Sequence, residues 1–215
     1  QNQREEIGPR SGHPHLPGTE DAVEDVDEAV AVAQEIGFPV IVKAAAGGGG
    51  RGMRIVREAS ELRGAIESAS SEALAAFGSG AVYVEKFLEK ARHVEVQCLG
   101  DSHGNAIHLF DRDCSSQRRH QKLIEEAPAP AVDPVKRLET AEAAARLLRE
   151  AEYCGAATVE FLMDANGDYS MLEVNTRVQV EHCVTEMVTG IDIVQASIRV
   201  AAGEPLGIDQ SEVKL

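Results

Sequence analysis

An Asn-Gly dipeptide at positions 166–167 constrains the fold more than any other feature of this sequence. Asn-Gly is the strongest short signal for a tight β-hairpin turn, because both residues adopt positive φ readily. The segments on either side, 157–163 and 169–174, have the composition of strands. A second hairpin is predicted from 94–99 to 105–110. Hairpins mixed with helices predict an α+β fold rather than a doubly wound parallel sheet.

Apolar spacing places the remaining elements. Helices are predicted over 21–36, 61–77, from Asp133-Pro134 to about 152, and from Asp192 to Gly203. Short strands are predicted at 39–43, 53–56 and 81–87. We therefore predict a connector over 1–18, a small subdomain with a glycine-rich flap over 19–88, and a larger subdomain over 89–215.

Charge and composition argue against several classes of protein. The net charge of −15 repels nucleic acid and anionic lipid unless a local basic patch overrides it. No apolar run approaches the roughly 18 residues of a membrane span. The four cysteines, Cys98, Cys114, Cys154 and Cys183, are too far apart for a C-x-x-C motif. We expect reduced thiols in an intracellular protein.

A glycine-rich segment, Gly47 to Gly52, matches G-x-G-x-x-G formally. A strand is predicted after it, whereas a dinucleotide fingerprint needs a helix, and Met53 occupies the position of the Walker lysine. A loop between two strands indicates a flexible flap whose N–H groups close over phosphates, with Lys43 as a nearby positive charge. A plain glycine-rich turn is the alternative.

A pair of carboxylates follows from the predicted hairpin. If Asn166-Gly167 is a two-residue turn, Glu160 lies directly opposite Glu173. Like charges in that position repel unless a cation or a proton lies between them. Two carboxylates beside a phosphate form a hard-oxygen site suited to Mg²⁺. The alternative is a solvated charged face, although apolar residues flank both glutamates.

Five polar residues then recur at every second position: Glu173, Asn175, Arg177, Gln179 and Glu181. In an extended chain they would point to one face. Such a row offers metal ligands, an anion clamp and a base. A polar outer face of an edge strand is the alternative.

A basic stretch runs from Arg112 to Lys122. Its cationic residues are Arg112, Arg118, Arg119, His120 and Lys122, against Asp113 alone. It predicts a cationic loop for a small anionic substrate. A surface loop that balances the acidic Glu125 and Glu126 is the alternative.

Two of these segments, 113–122 and 173–182, closely resemble the ATP-grasp region of biotin carboxylase, as found in biotin-dependent acyl-CoA and pyruvate carboxylases. The resemblance covers about Leu16 to Leu206. It implies an ATP-grasp fold, with two α+β subdomains and a nucleotide cleft between them. Cys183 departs from it, since the family normally has Pro there. Family members carry further N- and C-terminal portions, so we expect this chain to be the central part of a longer protein.

The resemblance implies a reaction and its components. ATP phosphorylates bicarbonate to carboxyphosphate, and CO2 then passes to biotin on a carrier. It implies ATP and Mg²⁺ or Mn²⁺ as cofactors, and a biotin carboxyl carrier domain and a carboxyltransferase as partners, with neither nucleic acid nor membrane. The expected location is the cytoplasm, or the mitochondrial matrix or another organelle in a eukaryote. Alternatives are a non-catalytic fragment that binds ATP and Mg²⁺, and an ATP-grasp domain of the carbamoyl phosphate synthase type.

The resemblance also implies roles for individual residues. The implied metal ligands are Glu160, Glu173 and Asn175. The implied nucleotide contacts are Lys43, Gly49, Gly50, Met53, Glu85, Lys86, Phe87, Leu88, His93, Gln117 and His120. Bicarbonate would be held by Lys122, Arg177, Gln179 and the backbone of Val180, with Glu181 as the base.

Overall fold

The computed structural model describes residues 16–19, 21–23, 25–45, 53–118 and 121–215. These residues form two compact units. The first runs from Leu16 to Glu89 and includes Arg118 and Gln121, and the second contains Lys90–Gln117 and Lys122–Leu215. The functional boundaries at 18/19 and 88/89 stay a prediction.

The first unit is a three-stranded antiparallel sheet with two helices packed on it. The sheet order is β2-β1-β3, and the longer helix contributes Leu62 and Ile66 to a core with Val40, Val42 and Val84. The elements are β1 (Val40–Ala44), β2 (Arg54–Val56), β3 (Val82–Lys86), α1 (Val26–Ile36) and α2 (Ala59–Phe77).

Helix α1 begins later than the sequence pattern predicts. Asp25 is its N-cap and accepts a hydrogen bond from the Asp27 N–H, while Val23 bridges in extended form to Val82 on β3. Gly18 bridges to Glu85 on the same strand. A Cβ at Gly18 would lie 2.5 Å from the Val84 carbonyl oxygen, so this close approach of two backbones requires glycine.

The second unit is a five-stranded antiparallel sheet of order β6-β5-β4-β7-β8. Helix α3 (Pro134–Glu150) covers one face and encloses a core around Val94, Val159, Phe161 and Leu147. The strands are β4 (Arg92–Gly100), β5 (Ala106–Arg118), β6 (Gln121–Glu126), β7 (Gly155–Met163) and β8 (Tyr169–Asn175). Helices α4 (His182–Thr189) and α5 (Ile193–Ala201) and a 3-10 turn (Gln210–Glu212) complete the unit. Antiparallel sheets with packed helices confirm the predicted α+β class.

The two-residue turn predicted at Asn166-Gly167 is wrong. Asp164 and Asp168 close a three-residue loop in which Gly167 adopts a φ of 79°. The Asp164 carboxylate accepts hydrogen bonds from the Asn166 and Asp168 N–H groups, which favours the wider turn. A β-bulge between Glu160 and Phe161 then shifts the register by one residue. Glu160 consequently does lie opposite Glu173, as predicted.

The predicted cationic loop over 112–122 is also wrong. Strand β5 continues to Arg118, and β6 begins at Gln121. Arg112 lies directly opposite Glu95 on β4, and both side chains are fully buried. The arginine charge is therefore neutralised inside the sheet rather than presented on a surface loop.

The extended row from Glu173 to Glu181 is interrupted. Strand β8 ends at Asn175, and Glu181 is the N-cap residue of α4 with φ −76° and ψ 1°. The alternation is therefore lost beyond Asn175. Among the described residues, no helix has both the length and the apolar character needed to cross a membrane.

Candidate functional site

Two opposed carboxylates lie at the centre of the site. Glu160 is 4% exposed, and Glu173 is its cross-strand partner. The Asn175 amide donates to Glu160 Oε1 at 3.0 Å and to Glu173 Oε1 at 3.4 Å. Two carboxylates and an amide, which can present its oxygen by a flip, are hard ligands of the kind that Mg²⁺ and Mn²⁺ take. The donor set of these residues therefore fits a divalent cation.

His93 on β4 lies against the other oxygen of Glu160. Its Nε2 is 2.8 Å from Glu160 Oε2, without hydrogen-bond alignment. The Gln117 amide nitrogen donates to the Cys114 carbonyl at 2.7 Å and lies 2.9 Å from His93 Nδ1. Because that nitrogen is a donor, His93 Nδ1 is the acceptor, and the neutral imidazole carries its proton on Nε2, facing Glu160.

A lysine on β6 joins three carboxylates. Lys122 Nζ donates at 2.8 Å to Glu160 Oε1 and at 2.8 Å to Glu181 Oε1, and it also donates to Glu95 Oε2. Burial by itself would lower the pKa of Lys122, but Glu95 and Glu160 outweigh it and raise that pKa. Lys122 is therefore a permanent positive charge at neutral pH.

The pKa values of two of these carboxylates shift in the opposite direction, downwards. Burial opposes ionisation of Glu160, yet His93 and Lys122 lower its pKa to about 2. Burial likewise opposes ionisation of Glu181, and its hydrogen bond from Lys122 lowers the pKa below the ordinary value. Both groups are ionised at neutral pH and can hold a cation or accept a proton.

The anion-clamp candidates lie in the segment between β8 and α4. Gln179 is buried and donates to Glu160 Oε1 at 3.1 Å, while its own Oε1 has no hydrogen-bond partner among the described residues. The exposed Arg177 guanidinium donates to the Val178 carbonyl at 3.2 Å and lies 3.5 Å from Asn175 Oδ1. Val180 is 90% exposed. An incoming anion can therefore reach Arg177 and the Val180 backbone.

The nucleotide candidates of the first unit surround β3. The Lys43 ammonium pairs with Glu85, and Lys86 Nζ donates to the Gly37 and Phe38 carbonyls at 3.1 and 3.0 Å. The backbone N–H of Phe87 donates to the Pro39 carbonyl at 3.0 Å. Leu88 follows in the same segment, and the half-buried Met53 immediately precedes β2.

Some predicted contacts cannot be placed. Gly49, Gly50 and His120, together with Arg119, lie outside the described residues. Their roles stay predictions.

Sequence reasoning missed the most deeply buried polar residues of the site. Glu95, Gln97 and Thr158 are 0% exposed, and Thr185 is 1% exposed. Glu95 and Gln97 alternate with Val94 and Val96 on β4, and this alternation was the available signal. The alternation did not indicate burial of the polar residues. Both faces of the central strand β4 are covered, but alternating polar residues in a sequence usually mark a solvent-exposed face.

A comparison with protein families shows which family the chain belongs to. The family model for the carbamoyl-phosphate synthase L chain, ATP-binding domain, matches residues 2–209. The chain belongs to this family.

Relatives in this ATP-binding domain family confirm the resemblance to biotin carboxylase. Biotin carboxylase of Pseudomonas aeruginosa is 55% identical over 205 residues, covering 95% of this chain and 45% of that protein. A crystal structure of a biotin carboxylase–βγ-ATP complex from Campylobacter jejuni is 50% identical with a TM-score of 0.95, covering 100% of this chain and 48% of that one.

A second similar solved structure contains bound ligands. It is the biotin carboxylase domain dimer of Hydrogenobacter thermophilus 2-oxoglutarate carboxylase, in complex with MgADP, ADP and bicarbonate. It is 47% identical with a TM-score of 0.95, covering 100% of this chain and 47% of that one. The fold of this chain is that of the biotin carboxylase ATP-grasp structures, as predicted. The chain spans less than half the length of these relatives.

Proposed function

We propose that this chain carries the ATP-grasp site of a biotin-dependent carboxylase, which uses ATP and bicarbonate to carboxylate biotin. One observation carries the proposal: Glu160, which lies opposite Glu173, accepts a hydrogen bond from Lys122, which also donates to Glu181 at 2.8 Å. Cation ligands, a fixed positive charge and a basic carboxylate are the components that a reaction between two anions requires. The Hydrogenobacter domain, which binds MgADP and bicarbonate, supports the same assignment.

In this proposal Glu160, Glu173 and Asn175 hold Mg²⁺ or Mn²⁺. Bound there, the ion would neutralise phosphate charge and orient the terminal phosphoryl group. Gln179 donates to Glu160 and restrains the orientation of that carboxylate. The deep pKa depression of Glu160 keeps it ionised throughout the working pH range.

Bicarbonate is assigned to Arg177, Lys122, Gln179 and the Val180 backbone. Arg177 is the exposed member, and its planar guanidinium matches a carboxylate-like anion through paired hydrogen bonds. An anion held in one orientation attacks the γ-phosphate far more readily than one that tumbles freely.

Glu181 is assigned as the base. Bicarbonate must lose its remaining proton as its oxygen bonds to phosphorus, and that proton would pass to a Glu181 carboxylate oxygen. Lys122 holds Glu181 ionised before the reaction, and its positive charge would stabilise the carboxyphosphate trianion that forms. Carboxyphosphate would then break its C–O bond to release CO2 and phosphate, the phosphate would take the N1 proton of biotin, and N1 would bond to CO2.

The nucleotide is assigned to the residues that the resemblance implies. Lys43, Gly49 and Gly50 would hold the phosphates, Met53 would pack on the base, and the Glu85 to Leu88 segment would hydrogen-bond adenine. His93, Gln117 and His120 complete the set. A biotin carboxyl carrier domain and a carboxyltransferase are the proposed partners, in the cytoplasm or the mitochondrial matrix.

The test is bicarbonate-dependent ATP cleavage. The purified chain is given MgATP, free biotin and labelled bicarbonate, and ADP and carboxybiotin are measured against reactions that lack one component. Formation of both products only in the complete mixture supports the proposal. ATP binding by calorimetry without any turnover would favour a nucleotide-binding module, and absence of both would overturn the proposal.

A further inference from the structure

A fully buried arginine connects the carboxylates of the site to helix α4. Arg112 is 0% exposed. Its Nε donates to Glu95 Oε1 at 2.7 Å, and one terminal nitrogen donates to Gln97 Oε1 at 2.9 Å and to Thr185 Oγ1 at 2.8 Å. The other terminal nitrogen lies 3.5 Å from Thr158 Oγ1. A buried guanidinium with partners on β4, β7 and α4 is held in one orientation.

Glu95 is shared between Arg112 and Lys122. One carboxylate oxygen accepts from Arg112 and the other from Lys122. The position of Lys122 therefore depends on a carboxylate that Arg112 fixes. Without Arg112, Lys122 would be the cation left paired with the buried Glu95, which would draw that ammonium away from Glu160 and Glu181.

The hydrogen bond between Arg112 and Thr185 affects Glu181, another carboxylate that Lys122 contacts. Thr185 is 1% exposed and follows Glu181 by four residues, so it lies one turn along α4 from the N-cap. Its hydroxyl at 2.8 Å from Arg112 ties the first turn of α4 to the sheet. Since Glu181 begins that turn, its carboxylate is held where Lys122 reaches it.

We propose that Arg112 is a positioning residue, which sets the places of Lys122 and Glu181 through Glu95 and Thr185. It touches no substrate; its effect on turnover rests on the proposed function, whereas its effect on Lys122 does not. Lysine cannot replace it, because a single nitrogen cannot occupy the three separate positions from which the guanidinium nitrogens reach Glu95, Gln97 and Thr158.

The chain offers a matched control on the same strand. Asp111, next to Arg112, pairs with Arg137 of α3, whose Nε donates to Asp111 Oδ1 at 2.9 Å and whose terminal nitrogen donates to the Ala129 carbonyl at 2.6 Å. Neighbouring residues of a strand point to opposite faces. Arg137→Lys therefore perturbs a buried pair of the same chemistry without touching the Lys122 cluster.

The direct test is the ammonium signal of Lys122 in a ¹H–¹⁵N spectrum of the full chain, assigned with Lys122→Met. An ammonium held by three carboxylates is protected from exchange with water. We expect the signal to shift or vanish in Arg112→Lys and in Thr185→Val, and to persist in Arg137→Lys. Thr185→Val removes one hydrogen bond at nearly constant volume, so it keeps the test valid if Arg112→Lys fails to fold.

Kinetics supply the second readout. In Thr185→Val we expect kcat/KM for bicarbonate to fall about tenfold, the value of one hydrogen bond to a charged group, with ATP affinity unchanged. Arg137→Lys should leave both unchanged. An unaltered Lys122 signal in folded Thr185→Val would overturn the positioning role, even if the wild type turns over. If the wild type shows the Lys122 signal but no turnover, and Thr185→Val loses that signal, the proposed function is refuted and the positioning role is retained.

Discussion

Glu160 and Glu173 lie directly opposite each other across β7 and β8 because two departures from a regular hairpin compensate. The loop at 165–167 is one residue longer than an Asn-Gly turn, and Leu172 is the extra residue of a bulge that follows. β-bulges are common beside functional sites, where they redirect a side chain. The opposed pair is therefore maintained by the whole hairpin rather than by its turn alone.

The first prediction concerns this pair. If the two carboxylates share a cation, Mg²⁺ added with nucleotide should raise the thermal unfolding temperature, because a ligand that binds only the folded state stabilises it. Glu173→Gln should abolish the Mg²⁺-dependent increment, and it should cost little stability without metal because it relieves the repulsion between the two charges. Differential scanning fluorimetry with and without Mg²⁺ measures the increment.

The control for that experiment is Glu139→Gln. Glu139 is exposed on α3, so the same chemical change there should leave the Mg²⁺-dependent increment intact. If the Mg²⁺-dependent rise in unfolding temperature persists in Glu173→Gln, the two carboxylates form a solvated charged face rather than a metal site.

A second prediction concerns Arg177. Arg177→Lys keeps the charge but replaces a planar fork with a single ammonium, which cannot make paired hydrogen bonds to one anion. We expect KM for bicarbonate to rise about tenfold or more with ATP affinity unchanged, as steady-state kinetics and calorimetry would show. Arg146→Lys, exposed on α3, is the control. If Arg177→Lys and Arg146→Lys have equal KM values for bicarbonate, Arg177 does not bind the anion.

Glu181 is the subject of the third prediction. Glu181→Gln preserves the shape and removes the proton acceptor, so bicarbonate-dependent ATP cleavage should fall by about 10²–10⁴-fold, the typical contribution of a positioned base. ATP affinity should change little. Glu126→Gln, exposed at the end of β6, should behave as the wild type. Turnover at the wild-type rate in Glu181→Gln would contradict the assignment of the base.

The fourth prediction is a pH dependence of stability at Asp101. Burial opposes its ionisation, but hydrogen bonds from Asn105, Leu206 and His103 lower its pKa to about 2. Because the pKa of Asp101 is lower in the folded state, the ionised carboxylate stabilises the fold at pH values above the ordinary pKa of 3.8. That contribution to stability is lost as the pH falls toward 2. Asp101→Asn should therefore cost about 1–2 kcal/mol at pH 7 and less at pH 3.

Urea unfolding at pH 7 and pH 3 measures this difference. Asp21→Asn is the matched control, because Asp21 is exposed. A cost for Asp101→Asn that is the same at both pH values would mean that the charge of Asp101 contributes nothing beyond its hydrogen-bond geometry.

Local patterns in the sequence determined most elements and the identity of the carboxylate pair. The Asp133-Pro134 cap signal indicated α3, which begins at that position. Strand composition around 166–167 indicated an antiparallel pair, but Glu160 lies opposite Glu173 because the longer loop and the bulge compensate. These features depend on residues close together in the chain, where backbone geometry sets the period.

Tertiary packing alone decided which charges are buried and what they contact. Arg112 appeared in the sequence as part of a basic stretch, but its partners Glu95 and Thr185 lie 17 and 73 residues away. Glu181 reaches Lys122 because the chain turns into α4 after β8, not because an extended row continues. A charge leaves water only when oppositely charged and polar groups from distant strands and helices surround it, and no local period of the sequence encodes that arrangement.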